Sequence, residues 1–171
     1  MGTNKLIASW HKCKIEIGET GENDAMAVNL ESIGVIKNKS TTMSHEDGET
    51  LTLTATGGVV VAEEVGEGVV SVTTRVMEPE FDLETKLTGA VKSQDGGELT
   101  VKTNVVSKEF SMKLTPKNIG SVGVKARRCS VTYKPGSSEE EGHYADITFK
   151  FLACADGELY TKFKVKASDW A

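Results

Sequence analysis

RVMEPEFDLETKLTG, residues 75–89, passes from strand to helix at Pro79. Upstream, Val70, Val72 and Val76 fall on one phase of a period-2 run, with Ser71, Thr73 and Arg75 on the other, as in a half-buried strand. Pro79 has no amide hydrogen to give a ladder and suits the first turn of a helix. Glu80, Asp82 and Glu84 follow where the positive end of a helix dipole favours acids. Leu83 and Leu87 stand one turn apart and form an apolar stripe, with Phe81 beside them. Gly89 suits a left-handed stop. The pattern predicts one short helix docked on a sheet.

Working outward, the flanks carry strand signals. Towards the N-terminus, 12–18 (KCKIEIG) alternates. Residues 25–38 read as a second extended segment anchored by Val28, Leu30, Ile33, Val35 and Ile36, with a phase slip at Ser32-Ile33-Gly34 that predicts a bend. KSTTMSHEDGE, 39–49, lacks either period and reads as an exposed projecting loop. Beyond it 50–56 alternates, Gly57-Gly58 interrupts, 59–62 resumes, and Gly66-Glu67-Gly68 turns the chain back.

On the C-terminal side, 92–98 (KSQDGGE) reads as a hairpin turn between extended segments. Segments 99–106 and 108–115 alternate, the second with Phe110, Met112 and Leu114 as its inward row. Cys129, Val131 and Tyr133 form the inward row of 122–133, and PGSSEEEG, 135–142, reads as a solvated acidic loop. Ile147, Phe149 and Phe151 mark the next strand, and 159–165 closes the sheet. About eight to ten strands and one helix predict a mainly β fold. Its architecture is a β-sandwich or partly open β-barrel with the helix packed on its flank. Residues 1–171 form a single domain, with 1–9 a sparsely anchored arm.

Composition removes several function classes. The net charge of −5 disfavours tight phosphate binding, which needs a basic face. Cys13, Cys129 and Cys154 are widely spaced with no CxxC, so a disulfide framework and a zinc site are both disfavoured, and free thiols are expected. Leu6-Ile7-Ala8 is too short an apolar run for a leader, and no stretch is apolar enough to span a bilayer. Synthesis and assembly in the cytoplasm are therefore expected, without a membrane anchor.

Candidate chemistry is thin. His11, His45 and His143 stand far apart in polar contexts and read as surface residues. Ser44-His45-Glu46-Asp47 holds the residue types of a triad, but triad members are brought together by a fold rather than by adjacency. Gly57-Gly58 and Gly96-Gly97 precede no GK[ST] and no helix, which excludes a phosphate-cradling loop. The acids around Gly48 miss the calcium-loop spacing. Lys162, Lys164 and Lys166 share one strand face opposite Phe163 and Val165. They read either as a solvated surface or as a charged seam meeting acids such as Glu80 and Glu84 of a neighbouring subunit. No enzyme activity, cofactor or metal is expected.

Three stretches resemble bacteriophage major tail (tail tube) proteins: MEPEFDLETKLTGA at 77–90, the stretch 40–58, and VSKEFSMKLTPKNIGSVGVKA at 106–126. The likeness lies in element order and covers about a third of the chain. It implies a non-enzymatic virion subunit that self-assembles into rings, usually hexameric. The rings stack into a tube, contact other tail proteins, and let duplex DNA pass without specific binding. Within that resemblance, Ser40, Thr41, Thr42, Met43, Ser44, His45, Glu46, Asp47 and Gly48 are the candidate inter-ring loop. The lysines with Glu80 and Glu84 are the candidate seam between subunits. Rival readings are the inner tube of a contractile injection or secretion apparatus, and a monomeric β-sandwich binding carbohydrate or protein. The second would need an exposed aromatic cluster, whereas Trp10, Trp170, Tyr133, Tyr144 and Tyr160 are scattered in sequence.

Overall fold

The computed structural model describes residues 10–103 and 108–170; the expected arm at 1–9 and the end of the strand expected at 99–106 lie outside the described residues. In chain order the strands are β1 (Cys13–Glu19), β2 (Glu31–Ser32), β3 (Val35–Ile36), β4 (Thr42–Glu46), β5 (Thr50–Thr54), β6 (Val60–Val65) and β7 (Val69–Met77). The helix α1 (Phe81–Thr88) comes next. It is followed by β8 (Val91–Lys92), β9 (Leu99–Thr100), β10 (Glu109–Pro116), β11 (Val122–Ser138), β12 (Gly142–Phe151) and β13 (Thr161–Lys164). The fold is mainly β, with one α-helix on the flank of a large antiparallel sheet.

That sheet runs β2-β1-β10-β11-β12-β7-β3, with β13 beside β11 and β4 beside β7. Its two ends, β2 and β3, belong to one segment of six residues, so the sheet must curl until its margins nearly meet. Ile33 N–H donates to the Ile15 carbonyl (3.1 Å) on one margin, and Lys37 N–H to the Arg75 carbonyl (2.8 Å) on the other. Gly34 makes the corner at φ 112°, a left-handed geometry that a side chain would oppose. The result is a partly open barrel.

Its interior is one apolar cluster in which cross-strand partners stack in rows. Ile15 faces Leu114, which faces Val124, while Val72 faces Phe149, which faces Val131. Each fully buried aliphatic or aromatic side chain of this kind contributes about 1.5–3 kcal/mol. Phe110, Met112 and Leu114 all point inward as the alternation predicts. Ser111, expected outside, is also buried: its hydroxyl accepts from Ala27 N–H (2.9 Å) and donates to the Arg127 carbonyl (2.9 Å).

Helix α1 begins one turn-step later than the sequence suggests. Glu80 is the N-cap, so Pro79 precedes the helix, where it is buried. Gly89 closes it at φ 75°, with its N–H on the Thr85 carbonyl (3.0 Å). Leu87 is buried and Leu83 half-buried, the stripe that docks the helix beside β11.

Other expectations are corrected. Residues 42–46 form an edge strand on β7 rather than part of a loop, because β7 offers a free row of backbone groups. Residues 135–138 extend β11, leaving only 139–141 as the turn; Pro135 is tolerated because β11 pairs there with β12 alone. Val28 and Val35, read as apolar anchors, are 96% and 72% exposed.

Candidate functional site

One feature of the fold leaves the barrel entirely. Glu46 pairs with Val69 at the end of β4–β7, and Thr50 pairs with Val65 at the start of β5–β6. Three residues separate the pairs on each strand, so both hairpins belong to one ribbon in unbroken register. Three of the six residues in the gap are glycines, Gly48, Gly66 and Gly68. Gly66 N–H donates to the Glu49 carbonyl (2.7 Å), and a Cβ on Gly48 or Gly68 would overlap the carbonyls of Gly66 or Glu46. Glycine lets the strands approach there.

Beyond the joint, among the described residues, β5 and β6 pair only with each other, and every residue of both is exposed. Leu51 and Leu53 are 72% and 64% exposed, and Val60, Val61 and Val65 are also open to solvent. Gly57 and Gly58, both at positive φ, turn the tip. The arm holds Glu46, Asp47, Glu49, Glu63, Glu64 and Glu67 with no Lys or Arg among residues 46–68. A lone two-stranded hairpin is marginally stable in water, so an apolar ribbon of this kind calls for a surface to lie against.

The outer barrel face beside the arm is rich in hydroxyls. Thr42, Thr73, Thr148 and Thr132 stand in register across four strands. Ser44 and Ser71 pair alongside them, their hydroxyls 3.1 Å apart. At the far end of this face Arg75 is saturated: it makes a two-pronged bond to Asp146 (2.7 and 2.9 Å), reaches Glu141 (2.7 Å), and stacks 4.0 Å from the Tyr144 ring. Hydrogen bonding from Arg75 holds the Asp146 carboxyl below its usual range.

The sequence candidates divide. Ser40 and Thr41 are engaged within the subunit, Ser40 with Arg75 N–H (3.2 Å) and Thr41 with the Thr74 hydroxyl (2.9 Å). Met43 packs on the core. Thr42, Ser44, His45 and Glu46 are exposed along β4, and Asp47 and Gly48 belong to the joint. Strand alternation puts Ser44 and Glu46 on one face and His45 on the other, which dismantles the triad-like run. The element that projects is thus 49–66. Sequence periodicity missed it because 50–56 alternates like a core strand; the run of acids without a base was the available signal.

In the seam, Lys162, Lys164, Lys166 and Glu80 are exposed, but Glu84 is a correction: it is only 5% exposed, with its carboxylate 3.5 Å from the Tyr133 hydroxyl. Glu84 and Leu87 are three apart and share the buried face. Burial, with Glu84 beside it, pushes the Tyr133 phenol up.

Cys154, Asp156 and Glu158 bring donor atoms within 4.8 Å of one another. Arg127 already occupies the cluster, bonding Asp156 (2.6 and 2.7 Å) and pairing with Glu158. The cysteines are free, and burial pushes the thiols of Cys13 and Cys129 up to about 11 and about 12, the chemistry of inert packing groups. Among the described residues, no helix is long and apolar enough to cross a membrane. The chain matches no protein-family model and no curated protein.

Proposed function

We propose that this chain is a structural subunit that assembles with copies of itself into a tube, the tail tube of a phage whose duplex DNA passes through the lumen. The observation that carries the reading is the exposed β5–β6 arm, an apolar acidic ribbon that no other element among the described residues covers. Free edges support the same reading. Among the described residues β4 pairs only with β7 and β13 only with β11, so each keeps one open side for a neighbour's strand. The hydroxyl rows on β4, β7, β12 and β11 suit a lumen wall: they offer hydrogen bonds without a dense basic surface that would hold phosphates. The sequence resemblance to tail tube proteins supplies the assembly class. In sedimentation and negative-stain microscopy at rising concentration the protein forms rings or tubes. A species that stays monomeric up to its solubility limit ends this reading.

A second reading is favoured by one observation. The fold brings Trp10 and Trp170, distant in sequence, to the same groove, the aromatic convergence that a ligand-binding β-module would need. Both indole N–H groups, however, are tied to backbone carbonyls, of Val122 (2.8 Å) and Pro116 (2.6 Å), and the Lys14 ammonium lies over Trp170 (5.1 Å).

A further inference from the structure

The groove that holds both tryptophans is a cavity of about 530 Å³ between the start of β1 and the segment leading from β3 into β4. Besides Trp10 and Trp170 it is lined by Lys12, Lys14, Lys37 and Lys39. Two of these lysines are already paired, Lys14 with Glu16 (3.7 Å) and Lys37 with Glu141. Lys12 and Lys39 are exposed and have no carboxylate partner among the described residues. The groove therefore offers two indole surfaces and two unneutralised ammonium groups. An apolar, acidic partner complements it in both respects.

The arm has that composition. With its joint, over residues 46–68, it carries six acids against a net charge of −5 for the whole chain, so the rest of the molecule is +1. Its exposed Leu and Val side chains supply the apolar half. A copy cannot satisfy its own groove. Thr41, at the groove, precedes β4, whereas the arm leaves from the other end of β4 and continues away from it in the same register. Counted at about 3.3 Å per residue, 49–56 reaches about 25 Å beyond the barrel, enough to enter a neighbouring molecule.

We infer that the β5–β6 arm of one copy docks into the Trp10–Trp170 groove of the next with its two faces against the two walls, so that Glu63 on one face and Glu64 on the other meet Lys12 and Lys39. This rests on the self-assembly reading and gives it a polarity. Donor and receptor are different surfaces at opposite ends of one strand, so the contact is head to tail, and such contacts propagate unless a rotation closes them into a ring.

Two double variants of the full chain test it: Lys12→Glu with Lys39→Glu reverses the groove, and Glu63→Lys with Glu64→Lys reverses the arm. All four positions are exposed, so folding should survive, and circular dichroism checks this. Each variant alone should associate at least about tenfold more weakly than wild type in sedimentation, since like charges then face each other. An equimolar mixture should recover association, because each reversed surface meets a complementary one on the other variant. The chain's two tryptophans both line the groove, so their emission should shift as the mixture assembles and stay fixed in each variant alone. Wild-type association matched by the groove-reversed protein would overturn the docking while leaving the tube reading intact. A wild type that stays monomeric, with emission that instead responds to maltohexaose, would overturn both and give the groove to a sugar.

Discussion

Glu84 and Tyr133 hold each other inside the barrel flank, with Glu84 5% exposed and the phenol 3.5 Å from its carboxylate. Replacing Tyr133 by Phe keeps the ring and removes the donor, leaving a buried carboxylate short of a partner. The expected cost is about 1–3 kcal/mol, read as a lower denaturation midpoint with an unchanged slope. Arg75 and Asp146 make a second test. Because Arg75 lowers the Asp146 carboxyl from its ordinary 3.8, the pair's contribution is complete above that value and disappears as acid protonates the folded carboxylate. Arg75→Met should therefore lower the thermal midpoint at neutral pH, and its difference from wild type should shrink below about pH 3.8. A difference that persists undiminished in acid would assign the loss to the stacking on Tyr144. At this scale much was legible: the inward row of β10 and Gly89 as helix stop follow from period and backbone geometry alone. Glu84 did not, since three acids at a helix start read equally well as dipole partners, and only its spacing from Leu87 places it inside.

The strand β4 shows where element-level reading stops. Thr42, Ser44, His45 and Glu46 are exposed and only Met43 packs inward, so the segment has no apolar alternation of its own. Its conformation is set by the free edge of β7, a partner far along the chain. The arm errs in the opposite direction: TLTLT carries the alternation of a core strand yet buries nothing. Deleting it should therefore cost the barrel little. With 50–65 replaced by an Asn-Gly turn, which suits a two-residue hairpin, the unfolding free energy should stay within about 1 kcal/mol of wild type while self-association is lost. A large drop in stability would mean that the ribbon supports its own barrel, and the assembly role assigned to it would fail.

For the molecule as a whole, the mainly β class and the flanking helix were readable from punctuation and period. The closure was not, because it depends on one short segment, 31–36, pairing to both margins of the sheet through a corner at Gly34. Charge is likewise distributed in a way that totals conceal: a modest −5 separates into six acids over residues 46–68, the arm with its joint, and a nearly neutral remainder. Association driven by that separation should weaken several-fold as ionic strength rises from about 0.05 to 0.5 M, since the screening length then falls well below 10 Å. Insensitivity to salt would point to strand-edge pairing as the dominant contact instead. The glycine joint at 48 and 66–68 has a mechanical corollary. In the proposed stack, units coupled where Gly48, Gly66 and Gly68 carry no Cβ would concentrate compliance at their couplings. A long stack of them would then curve like a hose, each stiff segment keeping its bore while the links between segments take up the strain.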